Sequence, residues 1–388
     1  MLDFSTRPDR NWSWPTAIRF GAGRIAELPA ALAELGASNP LFVTDAALVS
    51  LEPAQRARGV LRDAGVAFGL FSEVHPNPTG AAVDAGVAAF RAGGHDAVIA
   101  FGGGSALDAA KAVALMVRQT RPIWDFEDVG DNWTRVDTTD PVPVVAVPTT
   151  AGTGSELGRS SIITDTEAGR KMIIFHPIMM PGIAILDPEL TVGLPQGLTA
   201  STGMDALCHA LETFITPNFH PMADGLALQA LRMIKEALPR ACENGSDLEA
   251  RADMLVASGM ACVALQKGLG GVHALSHALG AVYDLPHGLL NAILLPHVTA
   301  ENIEHARPRL TELAQLLDLP GRQAESVIAW LEGLRDRLGI PAGLAELGVV
   351  AERQDEVIAL ALRDPCAAAN PAPFDAALAT RMLARAMG

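Results

Sequence analysis

A chain of 388 residues exceeds the range over which one hydrophobic core usually keeps growing, so two domains are expected. With 49% hydrophobic and 19% charged residues, the composition is that of a folded, well-buried protein and excludes a disordered one. The 29 basic and 44 acidic residues leave a net charge of −15, which repels phosphate backbones and anionic lipid and argues against nucleic acid or a membrane surface as partner.

In chain order, the first half alternates short β-type runs with alanine-rich helical stretches. TAIRF (16–20) reads as a strand, RIAELPAALAELG as a helix and NPLFVTD (39–45) as a strand. LEPAQRARGVLRDAG forms a second helix, and the β run VAFGLFSEV follows it. After a PNPT turn come the helix AAVDAGVAAFRAGG, the strand HDAVIAFGG (95–103) and the helix SALDAAKAVALMV. PVPVVAVPTT (141–150) is a further fully apolar strand. Apolar strands separated by helices of this length predict a parallel, Rossmann-like sheet covered on both faces.

From about Leu194 onward the β runs almost vanish. GLTASTGMDALCHALETF, PMADGLALQALRMIKEALP, EARADMLVASGMACVALQ and RPRLTELAQLLDL all have helical period, as does DAALATRMLARAM at the end. The expected division is therefore an α/β dinucleotide-binding domain over 1–194 and an all-helical metal-binding and catalytic domain over 195–388. The four cysteines, Cys208, Cys242, Cys262 and Cys366, form no CxxC pair and read as core thiols. The opening MLDFSTRPDRNWSWP has no apolar signal region, and no segment runs 18 apolar residues, so a cytoplasmic enzyme is expected.

Two glycine clusters compete for a dinucleotide pyrophosphate. Gly21-Ala22-Gly23 opens a helix after a strand, with Asp45 some way on at the end of the next strand. Gly102-Gly103-Gly104-Ser105 follows the strongly apolar AVIAF and directly precedes a long helix, whose positive end would add to the backbone amides. The second cluster is the favoured one. Asp45 is placed to accept from an adenosine-ribose hydroxyl and would repel a 2′-phosphate, favouring NAD over NADP; the plain alternative is a helix cap. In PTTAGTGSE (148–156), Thr149, Thr150 and Ser155 could reach the nicotinamide ribose or pyrophosphate. Asp108 has a position suited to orienting the glycine loop, and Lys171 to contacting a ribose or the substrate.

The second half carries the metal signal. Asp205 and His209 stand four apart on one side of a helix, and His273 and His287 follow in GLGGVHALSHALGAVYDLPHG. A nitrogen-rich set with one carboxylate suits Fe, Zn, Co or Ni better than Mg or Ca. Each histidine alone reads more readily as a packed core residue; jointly, burying them without a partner is costly. His277, one turn beyond His273, fits a substrate-side group that relays a proton. His176 and His220 stay uncommitted.

The ordered set FGGGSALDAAK (101–111), PTTAGTGSE (148–156), ILDPEL (185–190), GMDALCHALE (203–212) and GLGGVHALSHALGAVYDLPHG (268–288), with the opening PTAIRFGAG (15–23), resembles the iron-dependent alcohol dehydrogenase family over essentially the whole chain. That family includes glycerol dehydrogenases and shares its fold with dehydroquinate synthase. The resemblance implies a cleft between the two domains, Asp205, His209, His273 and His287 as ligands of Fe2+ (or Zn2+), and His277 beside substrate and nicotinamide. It also implies Asp45 against NADP, Gly102, Gly103, Gly104 and Ser105 at the pyrophosphate, and Thr149 and Thr150 on the cofactor. A homodimer or higher homo-oligomer is implied too, often through N-terminal strands. His277-Ala278 departs from the His-Pro of many relatives without removing a catalytic atom.

The expected reaction is reversible hydride transfer between a small alcohol and NAD, giving an aldehyde or ketone. A metal- and NAD-dependent lyase of the dehydroquinate synthase type is the first alternative, but a phosphate-bearing substrate would want basic side chains that 203–216 and 268–290 lack. A metal-dependent hydrolase is the second; it would leave the glycine loops without a purpose.

Overall fold

The structure, a computed structural model, describes residues 16–388. The stretch 1–15, read above as lacking an apolar signal region, lies outside the described residues, as does Pro15 of the family-like opening. Eight strands occur among the described residues: β1 (Ala17–Phe20), β2 (Pro40–Asp45), β3 (Gly69–Val74), β4 (Ala97–Gly102), β5 (Val144–Pro148), β6 (Ser160–Asp165), β7 (Arg170–Phe175) and β8 (Ile183–Leu186). Between them run α1 (Leu28–Glu34), α2 (Glu52–Asp63), α3 (Gly80–Ala92) and α4 (Gly104–Met116).

Six of the strands form one parallel sheet in the order β1-β8-β5-β4-β2-β3. Successive side chains leave a strand on opposite faces. Phe42, Ile99, Phe101, Val145 and Val147 thus meet Leu28, Ala57 and Leu61 of α1 and α2. Leu41, Val43, Val98 and Ala100 meet Val83, Val87, Leu107 and Val113 of α3 and α4. Both faces are buried, which is why these strands carry no polar alternation. The expected Rossmann-like sheet is present.

From β2 the chain steps outward to β3, whereas β4 lies on the other side of β2 and leads on to β5 and β8. Ligands of open α/β sheets bind beyond the carboxyl ends of the strands at such a reversal. Asp45 ends β2 and Gly102 ends β4, so both stand at that crevice.

Two features were not foreseen in the sequence. The antiparallel hairpin β6–β7 projects beside the sheet, and β8 fills the place between β1 and β5. The hairpin mixes polar with apolar residues (SSIITD, RKMIIF), and β8 is four residues long, overlapping only the start of AILDPELTVGLP. Remote partners make β8 a strand, Ile183 pairing with Ala17 and with Val145, whereas β6 and β7 pair with each other across a short turn.

The second half is all helical, as expected: α5 (Gln196–Ile215), α6 (Pro221–Glu243), α7 (Leu248–Ala264), α8 (Gly271–Tyr283), α9 (His287–Leu316), α10 (Ala324–Arg337), α11 (Gln354–Ala361) and α12 (Ala376–Ala386). Helix α5 is buried almost all round, with Met204, Leu207, Leu211 and Phe214 packed in one core with Leu231 and Ile234 of α6 and Ile293 and Leu294 of α9. A helix buried on every side can turn polar residues inward only where something absorbs them. Among the described residues no single helix is long and apolar enough to cross a membrane. One bent pair, Leu248–Lys267 with Gly271–Tyr283, passes on length and composition but turns by 103°.

Candidate active site

Helix α5 places Asp205, His209 and Glu212 on one buried side, at i, i+4 and i+7. Helix α8 adds His273, Ser276 and His277, and His287 is the first residue of α9, one turn before Asn291. The Nε2 atoms of His209, His273 and His287 lie 3.8, 3.9 and 3.5 Å from one oxygen, Asp205 Oδ1. The rings of His209 and His273 stack at 4.7 Å, and those of His277 and His287 at 5.2 Å. Donor atoms of Asp205, His273 and His287 lie close enough to share a metal ion.

The residues present fit such an ion. A tetrahedral donor set with bonds of about 2.0–2.2 Å separates its donors by roughly 3.3–3.6 Å, close to the distances found here. The far nitrogens of two rings are held as ligands require: His273 Nδ1 meets Glu212 Oε2 at 2.6 Å, and His287 Nδ1 meets Ser276 Oγ at 3.2 Å. Because the Ser276 hydroxyl donates to the His273 carbonyl, its oxygen is left to accept from His287. Both imidazoles then carry their proton on Nδ1 and turn an Nε2 lone pair inward. Asn291 Nδ2 donates to Asp205 Oδ1 at 2.7 Å, while Asn291 Oδ1 is buried without a hydrogen-bond partner among the described residues. Burial pushes His209 and His273 down to about 4, and His287 well below its ordinary value. Neutral imidazoles around one carboxylate are a donor set for Fe or Zn.

His277 stands apart from the three inward-facing rings. Its Nδ1 donates to Asp364 Oδ2 at 2.8 Å, and Asp364 Oδ1 accepts the Cys366 amide at 2.8 Å. Burial raises the Asp364 carboxyl, but the His277 ring and the Cys366 amide more than offset it and leave it below the usual range.

Across the cleft, the glycine loop is built for close approach. Gly102 has a φ of 142°, and a Cβ on Gly104 would lie 2.4 Å from Thr153 Oγ1. Thr149 is buried with its amide on the Gly102 carbonyl, and Thr150 packs against Gly103. Asp45 Oδ1 accepts the amides of Ala47 and Leu48, as a cap would. Its Oδ2 faces Gly102, 3.4 Å from where a Cβ would be. Asp108 accepts the Ser155 hydroxyl and, at 2.9 Å, the Ile162 amide, so it ties the 148–156 loop and β6 to α4. Ser155 is thereby engaged with Asp108 rather than free. Lys171 Nζ donates to Asn77 Oδ1 at 2.7 Å, and burial pushes its ammonium down to about 8 despite Asp284 nearby.

One cavity of about 330 Å³ joins the two halves. Gly104, Ser105, Asp108, Ser155 and Lys171 line its sheet side; His209, His273, His277 and His287 line its helical side. Asp45, Gly102, Gly103, Thr149, Thr150 and Asp205 do not line it. The other glycine cluster is elsewhere: Gly23 and Ile25 donate their amides to Asp187. The uncommitted histidines are caps, His176 for the Ile178 amide and His220 for the Ala223 amide. Sequence reasoning did not single out Glu212, Ser276, Asn291 or Asp364. Glu212 had a signal, since it falls three residues after His209 on the face that carries Asp205 and His209. Asp364 had none, since 87 residues separate it from His277.

A nucleotide-type glycine loop and a nitrogen-rich metal site opening into one cavity define a metal-dependent dehydrogenase. The profile described as iron-containing alcohol dehydrogenase matches residues 15–188, and that of the Fe-containing family's C-terminal domain matches 199–387. The chain belongs to the iron-containing alcohol dehydrogenase family. It is 39% identical to an NAD-dependent methanol dehydrogenase of Bacillus methanolicus over 93% of this chain and 95% of that one. It is 38% identical to a 4-hydroxybutyrate dehydrogenase of Cupriavidus necator over 96% and 98%. The crystal structure of a 1,3-propanediol oxidoreductase superposes with a TM-score of 0.92 at 34% identity, covering 97% of this chain and 100% of the other. The protein is an iron-type, NAD-dependent oxidoreductase that interconverts alcohols with aldehydes or ketones.

Proposed function

We propose that Asp205, His209, His273 and His287 hold the ion, that His277 is the catalytic proton carrier, and that the substrate is a small alcohol or its aldehyde. The observation that carries this reading is the single cavity shared by the glycine loop and the histidines. The relatives are named for methanol, 4-hydroxybutyrate and 1,3-propanediol, all small primary alcohols.

When bound, a divalent ion supplies a Lewis acid and NAD supplies the two-electron acceptor. The chain's own residues do the rest. Gly102, Gly103, Gly104 and Ser105 bring backbone amides and the α4 N-terminus to the pyrophosphate. Asp45 Oδ2 accepts from the adenosine ribose and repels a 2′-phosphate. Thr149, Thr150 and Ser155 shape the second cofactor-facing loop, which Asp108 braces against α4. Lys171 presents its ammonium to the cofactor ribose or the substrate from β7. His277, fixed through Nδ1 by Asp364, offers Nε2 to take the alcohol proton in oxidation and return it in reduction.

The same reading divides the chain into a dinucleotide-binding domain over 1–194 and a catalytic domain over 195–388. It places the protein in the cytoplasm, in keeping with free cysteines at 208, 242, 262 and 366. It makes the protein a homodimer or larger, in keeping with Ile18 and Phe20 on edge strand β1, both 45% exposed. The test is NADH absorbance with iron-loaded protein, NAD and a panel of primary alcohols and diols. Turnover on short primary alcohols is expected. Turnover confined to large or secondary alcohols would refute the substrate assignment.

A further inference from the structure

Glu212 is a carboxylate in the core of the helical half, touching neither the cavity nor solvent. Its two oxygens are separately engaged. Oε1 accepts the Val272 amide at 2.7 Å, in the first turn of α8, and Oε2 meets His273 Nδ1 at 2.6 Å. Capping α8 would account for the first contact, but the Gly271 amide already bonds Asn370 Oδ1 at 3.0 Å. The three inward-facing imidazoles differ in what stands behind them. His287 has a neutral hydroxyl, His209 Nδ1 has no hydrogen-bond partner among the described residues, and His273 alone has an anion.

We propose that Glu212 is a positioning residue that locks His273 in the Nδ1–H tautomer, keeps its Nε2 lone pair aimed at the ion, and so sets the affinity of the site for metal. The proposal rests on His273 being a ligand. Its physical basis is that a carboxylate behind a ligating imidazole fixes the ring, its tautomer and its basicity. Glu212 also brings a second negative charge to a site whose other anion is Asp205, so a divalent ion finds two buried carboxylates rather than one.

The discriminating variant is Glu212→Gln, because the Val272 amide still needs an acceptor. The glutamine oxygen stays on that amide and its NH2 group faces His273 Nδ1. His273 must then accept at Nδ1 and carry its proton on Nε2, facing the ion site. Capping survives and the lone pair is lost.

The readout is Zn2+ affinity of metal-depleted protein at pH 8 by competition with a chromophoric chelator, beside the histidine 15N spectrum without metal. Glu212→Gln should bind Zn2+ about 10- to 100-fold more weakly, with NADH affinity unchanged and the metal-free variant still folded. Glu212→Asp should recover part of the loss. Wild-type His273 should show the Nδ1–H pattern and the glutamine variant the Nε2–H pattern. Wild-type Zn2+ affinity in Glu212→Gln would overturn the proposal; so would an Nε2–H pattern in the wild type, a measurement that needs no variant to fold. His273→Ala separates the two layers: if it binds Zn2+ as the wild type does, the ligand assignment itself fails, whereas loss there beside an unaffected Glu212→Gln sinks only the role of Glu212.

Discussion

Glu156 is a carboxyl with nowhere to put its charge. It is fully buried in the 148–156 loop under the cofactor side of the cavity, and its Oε1 has no hydrogen-bond partner among the described residues. Burial lifts it from 4.5 to about 7, against the smaller opposing pulls of its own amide and of Lys111. The folded protein therefore binds a proton that the unfolded chain releases between those two values, and stability falls as pH rises through that window. Below pH 4.5 the penalty is absent; above pH 7 it is complete. Glutamine imitates the protonated form at every pH, so any fixed difference in packing cancels when two pH values are compared. From the two values, the stability gained by Glu156→Gln over wild type should grow by about 2.5 kcal/mol between pH 5 and pH 8. Urea unfolding of metal-free wild type and variant at both pH values measures this directly, since the histidine cluster is common to both. A difference independent of pH would refute the reasoning, and a variant less stable at pH 8 than at pH 5, relative to wild type, would reverse its sign.

Asp364→Ala removes a charge-assisted hydrogen bond, worth about 1.5–3 kcal/mol, from behind His277. The turnover number should fall about 10- to 100-fold with metal content and NADH affinity unchanged, and wild-type turnover would deny His277 its proton role. Gly104→Ala drives a Cβ to within 2.4 Å of Thr153 Oγ1. NADH affinity by fluorescence titration should drop about tenfold or more, by roughly 1.4 kcal/mol or more, and Thr153→Ala should recover part of it. Asp45→Gly should raise NADP turnover relative to NAD by about tenfold or more, because it removes the carboxylate that a 2′-phosphate would face. An unchanged preference would show that Asp45 only caps its turn.

What could be read from the sequence and what could not divide along contact range. The strands PLFVTD, AVIAFG and VVAVP announce themselves because burial on both faces leaves them almost wholly apolar, with polar residues only at the carboxyl end of PLFVTD. The Asp205–His209 spacing is local to one helix, and so is that of His273 and His277. Convergence on Asp205 Oδ1 is not local: it depends on α5, α8 and α9 packing together, and in the sequence it shows only through the joint cost of burying these histidines and through the family resemblance. The orienting groups were mostly hidden. Asp364 looks like any loop aspartate until the turn 365–369 sets it behind His277. Ser155 was read as a cofactor contact, yet its hydroxyl is given to Asp108, a bond between segments far apart in the chain. The hairpin β6–β7 escaped for the same reason that it works: its alternating burial leaves one side for the cavity, where Ser160, Ile162, Thr164, Lys171 and Ile173 appear.

Metal stoichiometry joined to turnover bears most directly on the central claim. Protein purified without oxygen should carry about one transition-metal ion per chain, lose both ion and NADH production on chelation, and recover both when Fe2+ or Zn2+ is restored. Asp205→Ala combined with His273→Ala should retain no ion. Full NADH production by the stripped protein, or an ion held as tightly by the double variant, would contradict the account.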